Sequence, residues 1–173
     1  MFYSGRIQMN LIGIKLKNFR GYKDIYIHLQ ENLQMIVGMN DIGKSTILEA
    51  LDIFFNDKNA TVKISKDDLN ISMVDIDNVI EIACLFSIEE MDTIVIDSSY
   101  RVFPRDEYLL NAEGYFEIIK KWDTSLSALK ATTYIKCAIP SCIDVNILTK
   151  KQNELKALLN TLWTIVKQMD TLL

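Results

Sequence analysis

Residues 33–55 constrain this chain more than any other stretch. Leu33-Gln-Met-Ile-Val37 is an apolar run of strand length. Gly38-Met-Asn-Asp-Ile-Gly43-Lys44-Ser45 is bounded by glycines, and Thr46-Ile-Leu-Glu-Ala-Leu-Asp-Ile-Phe-Phe55 has the apolar periodicity of a helix. A G-x-x-x-x-G-K-S spacing between a buried strand and a helix is that of a phosphate-binding loop. Gly38 and Gly43 let the backbone approach phosphate with no Cβ in the way, and the amides from Asp41 through Ile42 and Gly43 to Lys44 and Ser45 converge on phosphate oxygens. The helix that follows turns its positive end toward the same anion. Lys44 is placed to reach the β- and γ-phosphates, the Ser45 hydroxyl to ligate Mg²⁺, and Thr46 to add a further hydrogen bond to phosphate. The competing reading is a glycine turn followed by a solvated lysine.

Length and charge bound the rest. At 173 residues the chain suits a single domain, or one lobe of a larger one. A net charge of −4 gives no global electrostatic case for nucleic acid or membrane, so any basic surface has to be local. Cys84, Cys137 and Cys142 form no C-x-x-C pair and His28 is the only histidine, which argues against zinc. Cysteines in apolar strand patterns, no signal-peptide core and no apolar run of membrane-span length point to a reducing, cytoplasmic setting.

Before the loop, residues 1–10 read as a loose lead-in, with Met9 as an alternative start. Residues 11–19 alternate as a strand, with Ile12, Ile14 and Leu16 on one face and Lys15 and Lys17 on the other. Residues 20–24 turn into a second strand, 25–29, with Tyr26 and His28 on its polar face; the two strands suit an antiparallel pair. After the helix, Ser65-Lys-Asp-Asp68 caps a short helical turn and 78–86 is a strong strand. Ser87-Ile-Glu-Glu matches a capping pattern and predicts a short helix. Residues 92–113 read ambiguously around Pro104, and 114–122 and 132–139 form two further paired strands. Residues 146–173 are helical by pattern, with Leu148, Leu155, Leu159, Leu162, Val166, Met169 and Leu173 near a heptad seam; this helix covers the strands or meets a partner helix.

A hydrolytic site of this type needs a second acidic position at the end of an apolar strand. The best local candidate, Ile94-Val-Ile-Asp97, is followed by Ser98 rather than by glutamate. No L-S-G-G-like signature is present, since Ser125-Leu-Ser-Ala-Leu lacks the glycines. No catalytic residue can be named from the sequence.

The run Ile14-Lys-Leu-Lys-Asn-Phe-Arg-Gly-Tyr-Lys-Asp24, some twenty residues before the G-x-N-x-x-G-K-S-T loop, closely resembles the N-terminus of OLD-family ATP-dependent endonucleases. More broadly it is similar to the RecF/SMC group of ABC-type ATPases. The resemblance is sharp over residues 11–56. It implies an α/β fold, a P-loop ATPase lobe of ABC/SMC type with an antiparallel β element and a long C-terminal helix. The ligands implied are ATP and Mg²⁺, with Asn40 beside the γ-phosphate and Arg20 approaching the nucleotide from the strand pair. The implied partners are a second ATPase head, either a second copy or a missing C-terminal half, and DNA, for which Lys15, Lys17, Arg20 and Lys23 are the local basic cluster. In OLD-family proteins the head joins a nuclease domain linked to phage defence. The chain is expected to be a single partial ATPase domain over residues 1–173. Two other readings stay open: a non-catalytic regulator that pairs with a full-length head, and a small P-loop kinase, disfavoured by the two strands ahead of the loop and the lack of an arginine-rich lid.

Overall fold

The computed structural model describes residues 9–30, 35–37, 43–56, 59–89, 93–97 and 100–139. The chain divides into two compact units, Met1–Ala138 and Ile139–Leu173. Apart from Ile139 the second unit, and with it the expected helix 146–173, lies outside the described residues, as does the lead-in before Met9.

The first unit is built on a five-stranded sheet in which every adjacent pair runs antiparallel. Its strands are β1 (Asn10–Phe19), β2 (Tyr22–His28), β3 (Val79–Ser87), β6 (Phe116–Asp123) and β7 (Thr132–Lys136), in the order β2-β1-β3-β6-β7. A separate two-stranded hairpin holds β4 (Ile94–Asp97) and β5 (Tyr100–Val102), which gives structure to part of the ambiguous 92–113 stretch. The helix α1 (Lys44–Asn56) packs its apolar stripe, Ile47, Ala50, Ile53 and Phe54, into one core with Ile14, Leu16, Ile80, Ile82, Cys84, Phe86, Phe116 and Trp122. The alternation read in 11–19 holds, since Ile14 and Leu16 face this core while Lys15 and Lys17 carry their charge on the opposite face.

That opposite face is a lattice of charges set by the register. Lys17 lies opposite Glu81, which lies opposite Lys121, and Lys121 Nζ is 2.9 Å from Glu81 Oε1. Lys15 reaches diagonally to Glu117 at 2.9 Å, and Asn111 Nδ2 donates to the other oxygen of Glu117 at 2.8 Å. On the same face Gly13 leaves room for the Tyr26 ring, which a Cβ at Gly13 would meet at 2.6 Å. His28 is exposed on the edge strand, as its polar-face position predicts.

Three expectations are corrected. Met35–Val37, the described part of the predicted buried strand ahead of the loop, is not a strand, and Met35 and Val37 are 73% and 81% exposed. These residues pair with no described strand: β1 is already taken on both sides by β2 and β3, and they add to neither edge of the sheet. Ser87-Ile-Glu does not open a helix; Ser87 is the last residue of β3, held by the pairing of Asn10 with Ser87, so the ladder outcompetes the cap. The second strand starts at Tyr22 rather than at residue 25, because the pairing continues to Phe19–Tyr22 and leaves a turn of only Arg20 and Gly21.

Candidate phosphate-binding site

The helix begins at Lys44, two residues ahead of the Thr46 start expected from the apolar periodicity. Gly43 has φ +87° and immediately precedes Lys44, the first residue of α1; the Ile47 amide donates to Gly43 O at 3.2 Å. A left-handed backbone at that position favours glycine. No acidic residue occupies the first turn of α1, so the partial positive charge of its N-terminus is not neutralised from within the helix. Ser45 is exposed at this end, with Lys44 and Thr46 half-buried beside it. Gly38, Asn40, Asp41 and Ile42 lie outside the described residues. The structure thus brings Gly43, Lys44, Ser45 and Thr46 together at one helix end, with an orientation and charge that suit an anion.

Arg20 stands close by, but its side chain turns to protein carboxylates. The guanidinium makes ion pairs with Asp68, Nε to Oδ1 at 2.8 Å, and with Glu49 of α1. Burial opposes its charge, but the hydrogen bonds it donates to Asp68 and Glu49 outweigh that and raise its pKa above the usual arginine value. The backbone is held as firmly. Arg20 carries φ +49°, its amide donates to Asp68 O at 2.6 Å, and Asn70 Nδ2 donates to its carbonyl at 2.6 Å. Asn18, two residues earlier, is also left-handed at φ +55° and fully buried, donating through Nδ2 to Val79 O at 2.9 Å. Phe19 between them fills the core. The Asn-Phe-Arg run therefore ties the end of β1 to the start of β3, to the core and to α1.

Tyr22 completes the constellation. An added Cβ at Gly43 would lie 2.5 Å from the Tyr22 hydroxyl and 2.9 Å from Cζ, so the phenol ring abuts the glycine that starts the helix. Sequence reasoning missed Tyr22, Glu49 and Asp68 as members of the site. Asp68 was legible only as a cap, a role it also fills by accepting from the Ser65 amide at 2.7 Å.

Two further expectations meet the structure here. Of the basic cluster Lys15, Lys17, Arg20 and Lys23, the first three are matched by Glu117, by Asp77 with Glu81, and by Glu49 with Asp68, respectively. These three form internal ion pairs rather than a net positive patch: Glu81 of β3 and Glu117 of β6 face the lysines across the sheet, Asp77 lies just ahead of β3, and α1 and the Asp68 turn supply the acids for Arg20. Asp97, the candidate second acidic position, ends β4 in the separate hairpin and not a strand of the five-stranded sheet. Among the described residues no cluster of three His, Cys, Asp or Glu side chains could hold a metal, and no helix is long and apolar enough to cross a membrane.

A family model described as an AAA ATPase domain matches residues 9–172. The chain belongs to that family. Over 43 residues this ATPase domain is 44% identical to the DNA replication and repair protein RecF of Chlamydia abortus and 46% identical to RecF of Lactococcus lactis subsp. cremoris. Each match covers 25% of this chain and 12% of the relative, so the chain spans a small part of the curated relatives it matches. A solved structure of the recombination mediator protein RecF with ATP in the RecFOR pathway aligns at 14% identity and a TM-score of 0.46, covering 81% of this chain and 30% of that one. The similarity supports the RecF/SMC group of ABC-type ATPases as the setting of this ATPase domain, an α/β P-loop lobe with an antiparallel sheet.

Proposed function

We propose that this chain is the N-terminal ATP-binding lobe of a DNA-directed ATPase, and within the RecF/SMC group an OLD-like ATP-dependent endonuclease. The observation that carries the reading is the start of α1: a left-handed Gly43 followed by Lys44, Ser45 and Thr46 at a helix end that lacks an acidic residue in its first turn. A triphosphate fits there by chemistry, since the helix end offers amide donors, a lysine charge and a hydroxyl on one side of a glycine turn. In this reading Gly38, Asp41, Ile42 and Gly43 supply backbone to the phosphates and Asn40 stands beside the γ-phosphate. Lys44 neutralises the β- and γ-phosphates, Thr46 adds a hydrogen bond, and Ser45 holds Mg²⁺. Bound Mg²⁺ would supply charge neutralisation across the phosphates. Arg20 contributes from the hairpin, through Glu49 and Asp68, to the placement of α1.

Completion of the site falls to a second ATPase head, either another copy or a C-terminal half of the same protein. DNA as the partner is supported by the RecF relatives, which are named for DNA replication and repair. Nuclease activity and a role in phage defence follow from the OLD resemblance.

Calorimetry of Mg-ATP binding to the chain, beside Lys44→Ala, tests the phosphate site. Wild-type binding that falls by at least about tenfold in Lys44→Ala is the expected result, since the lysine makes charged contacts to two phosphates. Undiminished affinity in a folded Lys44→Ala chain would remove the assignment.

A further inference from the structure

The turn between β1 and β2 holds the start of α1 at two points. Tyr22 abuts Gly43 directly before the helix: a Cβ at Gly43 would meet its Oη at 2.5 Å, Cζ at 2.9 Å and Cε2 at 3.2 Å. Arg20, two residues earlier, ion-pairs Glu49 within the helix and is itself fixed by Asp68. Positions 43 and 49 are about 9 Å apart along a helix axis. Two contacts at that separation fix both the height of the helix and its rotation against the hairpin. The hairpin that carries both contacts turns in two residues, with Phe19 at the end of β1 buried in the core and Arg20 held in the left-handed region.

We propose that Tyr22 is a positioning residue for the phosphate site: its ring seats Gly43 and thereby aims the Lys44 and Ser45 amides at a bound anion. This rests on the phosphate-site reading given above and deepens it. Gly43 accepts the helix's hydrogen bond from Ile47, so a displacement of Gly43 is a displacement of the first turn. The φ of +87° favours glycine there, and a side chain in its place would have to push the Tyr22 ring aside. Tyr22 acts through the backbone rather than on the base or the ribose. Its removal therefore weakens every ligand that carries the phosphates alone.

The test uses the full chain and the variants Tyr22→Ala and Tyr22→Phe, with two readouts. Hydrogen exchange of the amides of residues 47–50, the first that bond within the helix, should accelerate without ligand in Tyr22→Ala while the β3 amides keep their wild-type rates. Calorimetry with Mg-ATP and with Mg-tripolyphosphate should show Tyr22→Ala weakening both ligands alike, by about tenfold, as expected for a misplaced binding geometry. Tyr22→Phe keeps the ring and should restore most of the affinity for both. Unchanged exchange at residues 47–50 in Tyr22→Ala would overturn the proposal. So would a loss confined to ATP, which would mark a contact to base or ribose instead. If wild-type chain binds neither ligand, the phosphate-site reading falls, and the exchange rates still decide whether Tyr22 holds the helix start.

Discussion

Glu117 lies on a central ladder with its side chain 2% exposed, where a carboxylate survives only if it is matched. Burial pushes its pKa up, but hydrogen bonds from Asn111 and Lys15, with the charges of Lys15 and Lys136, more than offset that and hold it below the ordinary glutamate range. A group whose folded pKa is depressed adds stability above its unfolded pKa, near pH 4.3, and loses it as pH falls through the folded value. Glu117→Gln is therefore expected to cost about 2 kcal/mol at neutral pH by removing charge-assisted hydrogen bonds. Denaturant unfolding at a series of pH values should show the gap to wild type shrinking below about pH 4. Single residues were unevenly legible in the sequence. The position of Lys44 and Ser45 at a helix start could be read because it depends on local spacing. Glu117 could not, since its partners Lys15 and Asn111 are brought to it by strand register and by a loop. Arg20 was expected, from the resemblance, to approach the nucleotide; its observed partners Glu49 and Asp68 left no local trace, for the same reason.

At the scale of elements, α1 shows what a period of 3.6 can and cannot fix. Its existence, its amphipathic character and its place after the loop follow from the sequence, because each is a property of neighbouring residues, and its bounds differ from the expected 46–55 by two residues at the start and one at the end. Its stripe sets a clear contrast: Ile53 is 2% exposed in the core, whereas Leu48 is 61% exposed. Ile53→Ala should lower unfolding stability by about 3 kcal/mol, and Leu48→Ala by no more than about 0.5 kcal/mol, measured by urea denaturation. A single failure of both contrasts would mean that the stripe is not the packing face. The strands β1, β2, β3, β6 and β7 were likewise legible as strands, and β1·β2 and β6·β7 as pairs, since short connections keep partners adjacent. The insertion of β3 between β1 and β6 was not, because nothing local records which edge a distant strand will join. Residues 35–37 were misread for a related reason: an apolar run specifies a strand only when a neighbour exists to pair with it.

For the first unit as a whole, stability should be graded across the sheet. β3 is paired on both sides and buried along most of its length, while β7 is an edge strand exposed at every position. Amide exchange is expected to be slowest in β3 and fastest in β7, with β2 near β7; equal rates across the sheet would contradict the arrangement. The order β2-β1-β3 has a further consequence for assembly. β1 finds β2 across a two-residue turn, but Lys17 and its partner Glu81 are about 60 residues apart in sequence, and closing so long an excursion is an entropic cost met before any ladder bond repays it. The glycine turn, α1 and the Asp68 segment all lie within that excursion. Both ends of the excursion are anchored only when β1 and β3 zip together, so the phosphate site takes shape with the slowest, most long-range step of folding rather than with the early hairpin on which Tyr22 and Arg20 stand.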